Sequence, residues 1–401
     1  MNAHTGSSME RVERRRLCLP LYPVAVGIGI LSVVILLWSE LVWLAWTIRS
    51  CRSTSPLSRN TVTFAAISDI HILGRKRSAL DIAWTDYQTR KALWALSRFG
   101  PKLRGMVVLG DILDQLGRYP EVREEWSWFL RRYEWVMRDF AKHKDNSDDA
   151  RENFVIDSVI GNHDAQFVYL GSTPWLMDWF SSDLGPLNGM KRLEDLDVEL
   201  IWVNAMSLFD NTTVRTKSHE ETIQFLQSLP AKPKGSRTKR ILLSHVPSFR
   251  ENDLDCDKDR LRERAHVTYF APEEPLRNAF DVFNEQVSQD LLSKVSPDLM
   301  LSGHLHSQCV KSSSFLDGQE LVQFMDVSVP SFSYRMRPDP GYAVVYFDKE
   351  SRQFETKICK LPSEPFMIAM DIAGGIGLAT AIVLIGVARW SDASKSKSKA
   401  L

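Results

Sequence analysis

The chain has 401 residues, with 50 Lys and Arg against 50 Asp and Glu and no formal net charge at pH 7. That balance excludes the strongly basic surface of a general nucleic-acid binder, so no nucleic-acid partner is expected. The length admits one large domain with appendages, or two domains.

Read from the N-terminus, RVERRR at 11–16 precedes an uncharged stretch from Leu17 to Ser39. Glu40 interrupts it, and LVWLAWTI then adds Trp43 and Trp46. A stretch this long spans a hydrocarbon core of about 30 Å as a helix. It is too long for the apolar region of a cleaved signal, and no small-residue cleavage site follows. The expected order is a cytosolic N-terminus over 1–16, set by the basic excess, a transmembrane helix over 17–48, and a linker over 49–61. Residues 62–360 read as one catalytic-sized domain. A second apolar run at 372–388, with Asp371 near one end, predicts another transmembrane helix over 366–389. The cytosolic tail is then 390–401. Both ends cytosolic places the domain on the lumenal side. The tail closes on KSKAL, a KxKxx pattern that resembles the dilysine signal read by the COPI coat, an address rather than an anchor. Asn211-Thr212-Thr213 is a glycosylation acceptor. Cys18 falls in the first span; Cys51, Cys256, Cys309 and Cys359 would face an oxidising lumen, where pairing is permitted.

Between the spans, apolar runs alternate with helix-like stretches. Strands are expected at 62–68, 106–109, 155–160, 200–204, 241–244, 299–302, 321–327 and 342–347. Helices are expected at 79–99, 120–140, 220–228 and 279–294, with loops at 145–150 and 230–238. This alternation predicts an α/β fold.

Five of the runs end in metal-type donors. AAISDIH supplies Asp69 and His71; VVLGDILD supplies Asp111 and Asp114. SVIGNHD supplies Asn162, His163 and Asp164. ILLSHVP supplies His245, and LMLSGHLH supplies His304 and His306. In an extended segment, residues i and i+2 point to one side, so Asp69 with His71, and His304 with His306, are expected to converge on a cation. Open α/β sheets bind ligands beyond the carboxyl ends of their strands, which gathers the five groups along one rim. Carboxylate, imidazole and amide donors suit borderline divalent ions such as Mn²⁺, Zn²⁺ or Fe²⁺. No cysteine joins the clusters, so a structural thiolate zinc site is not expected.

The ordered set D-x-H, GDxxD, GNHD, H-x-P and GHxH closely resembles the calcineurin-like metallophosphoesterases, over roughly residues 62–348. The resemblance implies a four-layer α-β-β-α sandwich, here flanked by two transmembrane helices, and two divalent ions. It implies that Asp69, His71, Asp111 and His306 hold one ion. The other falls to Asp111, Asn162, His245 and His304, with Asp111 bridging. His163 is then not a ligand. Adjacent side chains tend to point apart, so Asn162 can hold metal while His163 faces substrate as general acid. Asp114 and Asp164 are candidates to orient these groups from behind, or plain capping residues. Two divalent ions about 3.5–4 Å apart clamp the attacking and leaving oxygens of an in-line displacement.

Finer matches narrow the resemblance. Gln115-Leu116-Gly117 follows GDILD where Ser/Thr protein phosphatases carry Arg-Gly. GDILDQLGRYP…EEW, HVPSFRENDLDC, SGHLHSQC and SVPSFSYRMRPDPGYAVV look like the membrane-anchored branch that remodels glycosylphosphatidylinositol (GPI) anchors. That branch implies a lumenal enzyme using manganese. Its members remove ethanolamine phosphate from the second mannose of the GPI glycan on anchored proteins, which aids their transport from the endoplasmic reticulum (ER) to the Golgi. Departures are Gln115-Leu116 and a longer basic loop at 232–240. Arg335 and Arg337 are candidates to pair with phosphate, or to form surface salt bridges. His266 and Tyr269 lie in an insertion where a substrate-shaping lid fits. Cys256 and Cys309, each following a site motif, are expected to pair. Trp126, Trp128, Trp135, Trp175 and Trp179 read as core or helix packing. The rivals are a related lipid or nucleotide phosphodiesterase, and a non-catalytic cargo escort or metal-homeostasis protein.

Overall fold

A computed structural model describes residues 21–51, 60–114, 123–141, 154–165, 174–208, 217–233, 235–263 and 270–399. The chain divides into two units, 45–363 and the terminal segments 1–44 with 364–401.

Unit 45–363 is built on two sheets. In the first, β1 (Thr61–Ile67), β2 (Gly105–Val108) and β3 (Phe154–Ile156) run parallel, and β10 (Gly341–Asp348) and β11 (Phe354–Lys360) add antiparallel on the β1 side. In the second, the order is β4 (Gly189–Leu193), β5 (Val198–Trp202), β6 (Lys239–Leu243), β7 (Leu299–Ser302), β9 (Glu320–Ser328), β8 (Cys309–Asp317). Its four central strands are parallel, and β4 and β8 close the edges antiparallel.

Period-two alternation brings the sheets face to face. Phe64 and Ala66, Val107 and Leu109, and Val345 and Phe347 of the first sheet share one core with Leu200 and Trp202, Ile241 and Leu243, and Leu299 and Leu301 of the second. The residues between them, such as Ala65, Met106, Ile201, Leu242 and Met300, are equally buried. Strands covered on both faces read as continuous apolar runs rather than alternating ones. Fully burying one such aliphatic side chain contributes about 1.5–3 kcal/mol. The expected α/β sandwich is therefore present.

Helices flank the sheets at Ala79–Phe99, Arg123–Ala141, Pro174–Leu184, Lys217–Ser228 and Glu285–Val295. The helix expected from 279 starts at Glu285, because Asn284 caps it: its side-chain oxygen accepts from Val287 N–H at 2.8 Å. Residues 278–282 form a bridged turn instead. Two disulfides lie in this unit. Cys256–Cys309 pair as expected, and Cys51, one residue past the end of the first helical segment, pairs with Cys359 on β11.

The terminal unit holds the first apolar segment as far as Leu44 and the second from Glu364. One runs helical from Leu21 to Ser50, with a π-helical turn at Trp38–Val42; the other is helical from Glu364 to Lys399. Both are long and apolar enough to cross a membrane. Within the unit they pack through small residues: a side chain at Gly374 would strike Leu36, and one at Gly377 would strike Ser32. Trp43 and Phe366 meet edge to face at 4.8 Å, and Ser39 Oγ–H donates to the Asp371 carboxylate at the π turn.

Candidate metal centre

Three of the five donor-bearing loops leave their strands through left-handed turns. Asp69 (φ 52°), His71 (φ 50°), Asp111 (φ 48°), His304 (φ 70°) and His306 (φ 57°) all lie at positive φ. Neither D-x-H nor H-x-H is extended, so the i, i+2 rationale is corrected: the turns, not strand pleating, aim these side chains. Such conformations cost on the order of 1–3 kcal/mol each and persist where surroundings enforce them. Here Asp69 N–H donates to Gly110 O at 3.1 Å and His71 N–H to Asp111 O at 3.0 Å. Asp164 accepts the N–H groups of Gly161 (3.0 Å), Leu113 (2.9 Å) and Ile112 (3.3 Å), tying the GDxxD loop to the GNHD loop. Any Cβ at Gly161 would lie 2.1 Å from Asp111 Oδ1, so only glycine lets these loops meet.

One cluster forms where β1, β2 and β7 end. His71 Nε2 and His306 Nε2 lie 3.2 Å apart. Asp69 Oδ1 is 3.4 Å from His306 Nε2 and 3.9 Å from His71 Nε2, and Asp111 Oδ2 is 3.6 Å from His71 Nε2. Asp69 Oδ2 is occupied by His304 N–H at 3.1 Å, while buried Oδ1 accepts no hydrogen bond from the described residues. Two imidazole nitrogens and two carboxylate oxygens thus converge on one point.

The second cluster uses the other oxygen of Asp111. Asp111 Oδ1 lies 3.5 Å from His245 Nε2. Asn162 Oδ1 sits between His245 Nε2 (3.0 Å) and His304 Nδ1 (2.8 Å). The far ring nitrogens are anchored: His245 Nδ1 on Leu109 O at 2.7 Å, His304 Nε2 on Phe280 O at 2.7 Å. A carbonyl accepts only from N–H, so each far nitrogen carries a proton and the near one faces the site, the arrangement usual behind metal-bound histidines. The donors come from both sheets, so the site sits where two rims meet rather than along one.

His163 follows Asn162 on the short helix Asn162–Ala165 but joins neither cluster. Its Nδ1 lies 3.5 Å from Asp114 Oδ1 and its Nε2 4.0 Å from Asp111 Oδ2, and it is 28% exposed. Asp114 also approaches His71 Nδ1 at 4.0 Å and Arg77 at 3.8 Å.

Electrostatics divide the histidines. Burial first, then the charge of His163, pushes His71 down to about 3. Burial and then His245 push His304 down to about 4. Both rings therefore offer lone pairs. Burial opposes charge on His245 and His163 as well, but the Asp111 carboxylate outweighs it and lifts each to about 9. Asp111 itself is held well below the usual carboxylate range: burial works against ionisation, and His245 and His163 override it. Buried anions facing converging imidazole nitrogens fit divalent cations, which would take the place of the proton that Asp111 otherwise keeps on His245. Asp69, His71, Asp111 and His306 would hold one, and Asp111, Asn162, His245 and His304 the other.

A cleft of about 490 Å³ opens onto both clusters, lined by Asp111, Asn162, His163, His304 and His306 and walled by the 270–281 segment. Arg335 and Arg337 do not line it. Arg337 is 2% exposed; it donates to His306 O (2.8 Å), Glu263 (2.7 Å) and Asp339 (2.9 Å). Its place is behind the His306 loop, which corrects the phosphate-pairing expectation. Arg335 is exposed, away from the cleft. The cationic side chain on the cleft wall, among the described residues, is Arg277, which sequence reasoning missed. Its i, i+4 spacing from Asp281 was a readable signal; they pair at 2.7 Å, and the guanidinium stacks on Phe280 at 3.8 Å. His266, Tyr269, Asn211 and Gln115-Leu116 lie outside the described residues.

A paired-donor pocket at the rim of an α/β sandwich, with an uncommitted histidine beside it, defines a metal-dependent phosphoesterase. Residues 62–308 match the calcineurin-like phosphoesterase family, and the chain belongs to it. Within that family it is similar to Metallophosphoesterase 1 of Ailuropoda melanoleuca, at 26% identity over 82% of this chain and 80% of that one. It is 23% identical to the Metallophosphoesterase 1 homolog of Caenorhabditis elegans, over 89% of this chain and 90% of that one. Metallophosphoesterase 1 of Rattus norvegicus is 26% identical over 79% and 76%.

Proposed function

We propose that this chain is a two-metal phosphodiesterase that removes ethanolamine phosphate from the second mannose of GPI anchors on proteins, aiding their ER-to-Golgi transport. The observation that carries the reading is the cleft that exposes both donor clusters and His163 together. Hydrolysis joins a water oxygen to phosphorus and breaks the ester bond to the mannose oxygen. Divalent ions held by these two donor clusters would supply Lewis acidity and lower the pKa of a water. His163, oriented through Nδ1 by Asp114, holds a proton at Nε2 for the departing oxygen. Asp111 fixes the spacing of the two clusters by dividing its oxygens between them.

The substrate reading rests on the motif resemblance and on similarity to the Metallophosphoesterase 1 proteins. Manganese is the metal of choice on the same ground, with Zn²⁺ and Fe²⁺ compatible with the donors. The proposed location is the membrane of the ER, its exit sites, the ER–Golgi intermediate compartment and the cis-Golgi, with both spans inserted and the catalytic domain lumenal. The basic N-terminal segment, the KxKxx tail toward the COPI coat and two disulfides in one domain support it. The test is incubation of purified GPI glycans with the full chain and Mn²⁺, followed by mass spectrometry. Release of ethanolamine phosphate that Asp111→Asn abolishes is expected. Turnover of lipid or nucleotide diesters with intact GPI would replace this substrate. Full rescue of anchored-protein transport by His163→Ala would favour the escort role.

A further inference from the structure

The wall of the cleft carries an acid that has no evident business beside a phosphate site. Glu274 lines the cleft and is exposed to it. The neighbouring acid, Asp281, is fully engaged: Arg277 grips it through Nε at 2.9 Å and Nη2 at 2.7 Å, and Arg277 backbone N–H adds a bond at 2.8 Å. Glu274 has no side-chain hydrogen bond or ion pair among the described residues. The backbone around it is nonetheless fixed. Glu274 N–H donates to Ala271 O at 3.1 Å, Pro272 O accepts from Asp253 N–H at 2.9 Å, and Leu276 N–H donates to Glu251 O at 2.8 Å. Leu276 is buried in a small apolar cluster with Val282 and Leu305, the residue between His304 and His306. The loop therefore presents, among the described residues, a carboxylate without a side-chain partner at a set position on a rim shared with the metal-type donors.

An anion at that spot repels a phosphodiester unless the substrate brings a positive charge to meet it. We infer that Glu274 receives the ammonium of an aminoalkyl arm esterified to the phosphate, the arm that stays on phosphorus when the other ester bond breaks. The inference rests on the phosphodiesterase reading above and names the part of the substrate that this wall selects. Phe270 and Phe280 line the same wall, but their rings already carry the Arg260 and Arg277 guanidiniums, which leaves Glu274 as the group that meets the ammonium. The orientation follows: the retained arm lies toward Glu274, the leaving oxygen toward His163, and the products are the alcohol and an aminoalkyl phosphate. Glu274 is thus a specificity residue for amine-bearing diesters, without a part in bond breaking.

Two readouts test this on the full chain loaded with Mn²⁺. The first is the ratio of kcat/KM for aryl 2-aminoethyl phosphate over aryl n-propyl phosphate. The second, independent of turnover, is the ratio of affinities for 2-aminoethyl phosphate over n-propyl phosphate by calorimetry. Wild type is expected to prefer the amine about threefold to fivefold in each, the upper scale of an exposed ion pair. Glu274→Gln is expected to bring both ratios near one, Glu274→Asp to restore part of them, and Glu274→Lys to invert them. A wild-type affinity ratio of one, or ratios unchanged in Glu274→Gln, overturns the inference while leaving GPI hydrolysis open. Failure on GPI glycans with the amine preference intact overturns the GPI assignment alone.

Discussion

Asn162 Oδ1 sits between two imidazoles of the metal cluster, while His163, the next residue, faces the cleft. Their separation makes a sharp prediction. His163→Ala should keep its metal by plasma mass spectrometry yet lose turnover by about 10²–10⁴, the usual contribution of a positioned general acid. Asp111→Asn should lose both, since each oxygen of Asp111 faces a different cluster. Normal turnover in Asp111→Asn would contradict the bridging role. All seven donors were legible because each follows an apolar strand, where the chain leaves the sheet and side chains meet. Arg337 was not legible. Whether an arginine reaches phosphate or a buried backbone carbonyl depends on Glu263 and His306, 74 and 31 residues away. The carbonyls of Leu109 and Phe280, which set two imidazole tautomers, leave no trace in side-chain identity.

Among the elements, the central parallel strands were read to within a residue or two, because burial on both faces makes them uniformly apolar. Three of the four edge strands were missed, whereas β3, expected at 155–160, was read. Residues 309–317 carry three consecutive serines at exposed and half-exposed positions, and 189–193 and 354–360 are similarly mixed; such strands exist through pairing with a neighbour rather than through their own pattern. The loop carrying His304 and His306 depends on an ion cluster behind it. Glu263 accepts from Arg337 at 2.7 Å and from Lys360 at 2.6 Å. Arg337→Met should leave the far-ultraviolet circular dichroism unchanged. It should weaken metal binding about 10–100-fold in chelator competition, the range seen when support behind a ligand is removed. Metal affinity equal to wild type would show that His306 O needs no donor.

At the scale of the whole molecule, cations held by residues from both sheets bind the folded chain and not the unfolded one. Stability should therefore track metal concentration. At about 100 times Kd the gain is about 2.7 kcal/mol per site, so the thermal midpoint of the metal-loaded protein should fall on chelation and recover on adding Mn²⁺. A midpoint indifferent to chelator would mean that the clusters take no ion. The bond between Cys51 and Cys359 carries a different consequence. It joins residues 308 apart in sequence, near the two limits of the catalytic unit. Covalently, that unit is a ring. A protease that cuts one exposed loop within it opens the ring without releasing a piece, and the product keeps its mass on an oxidised gel and separates only after reduction.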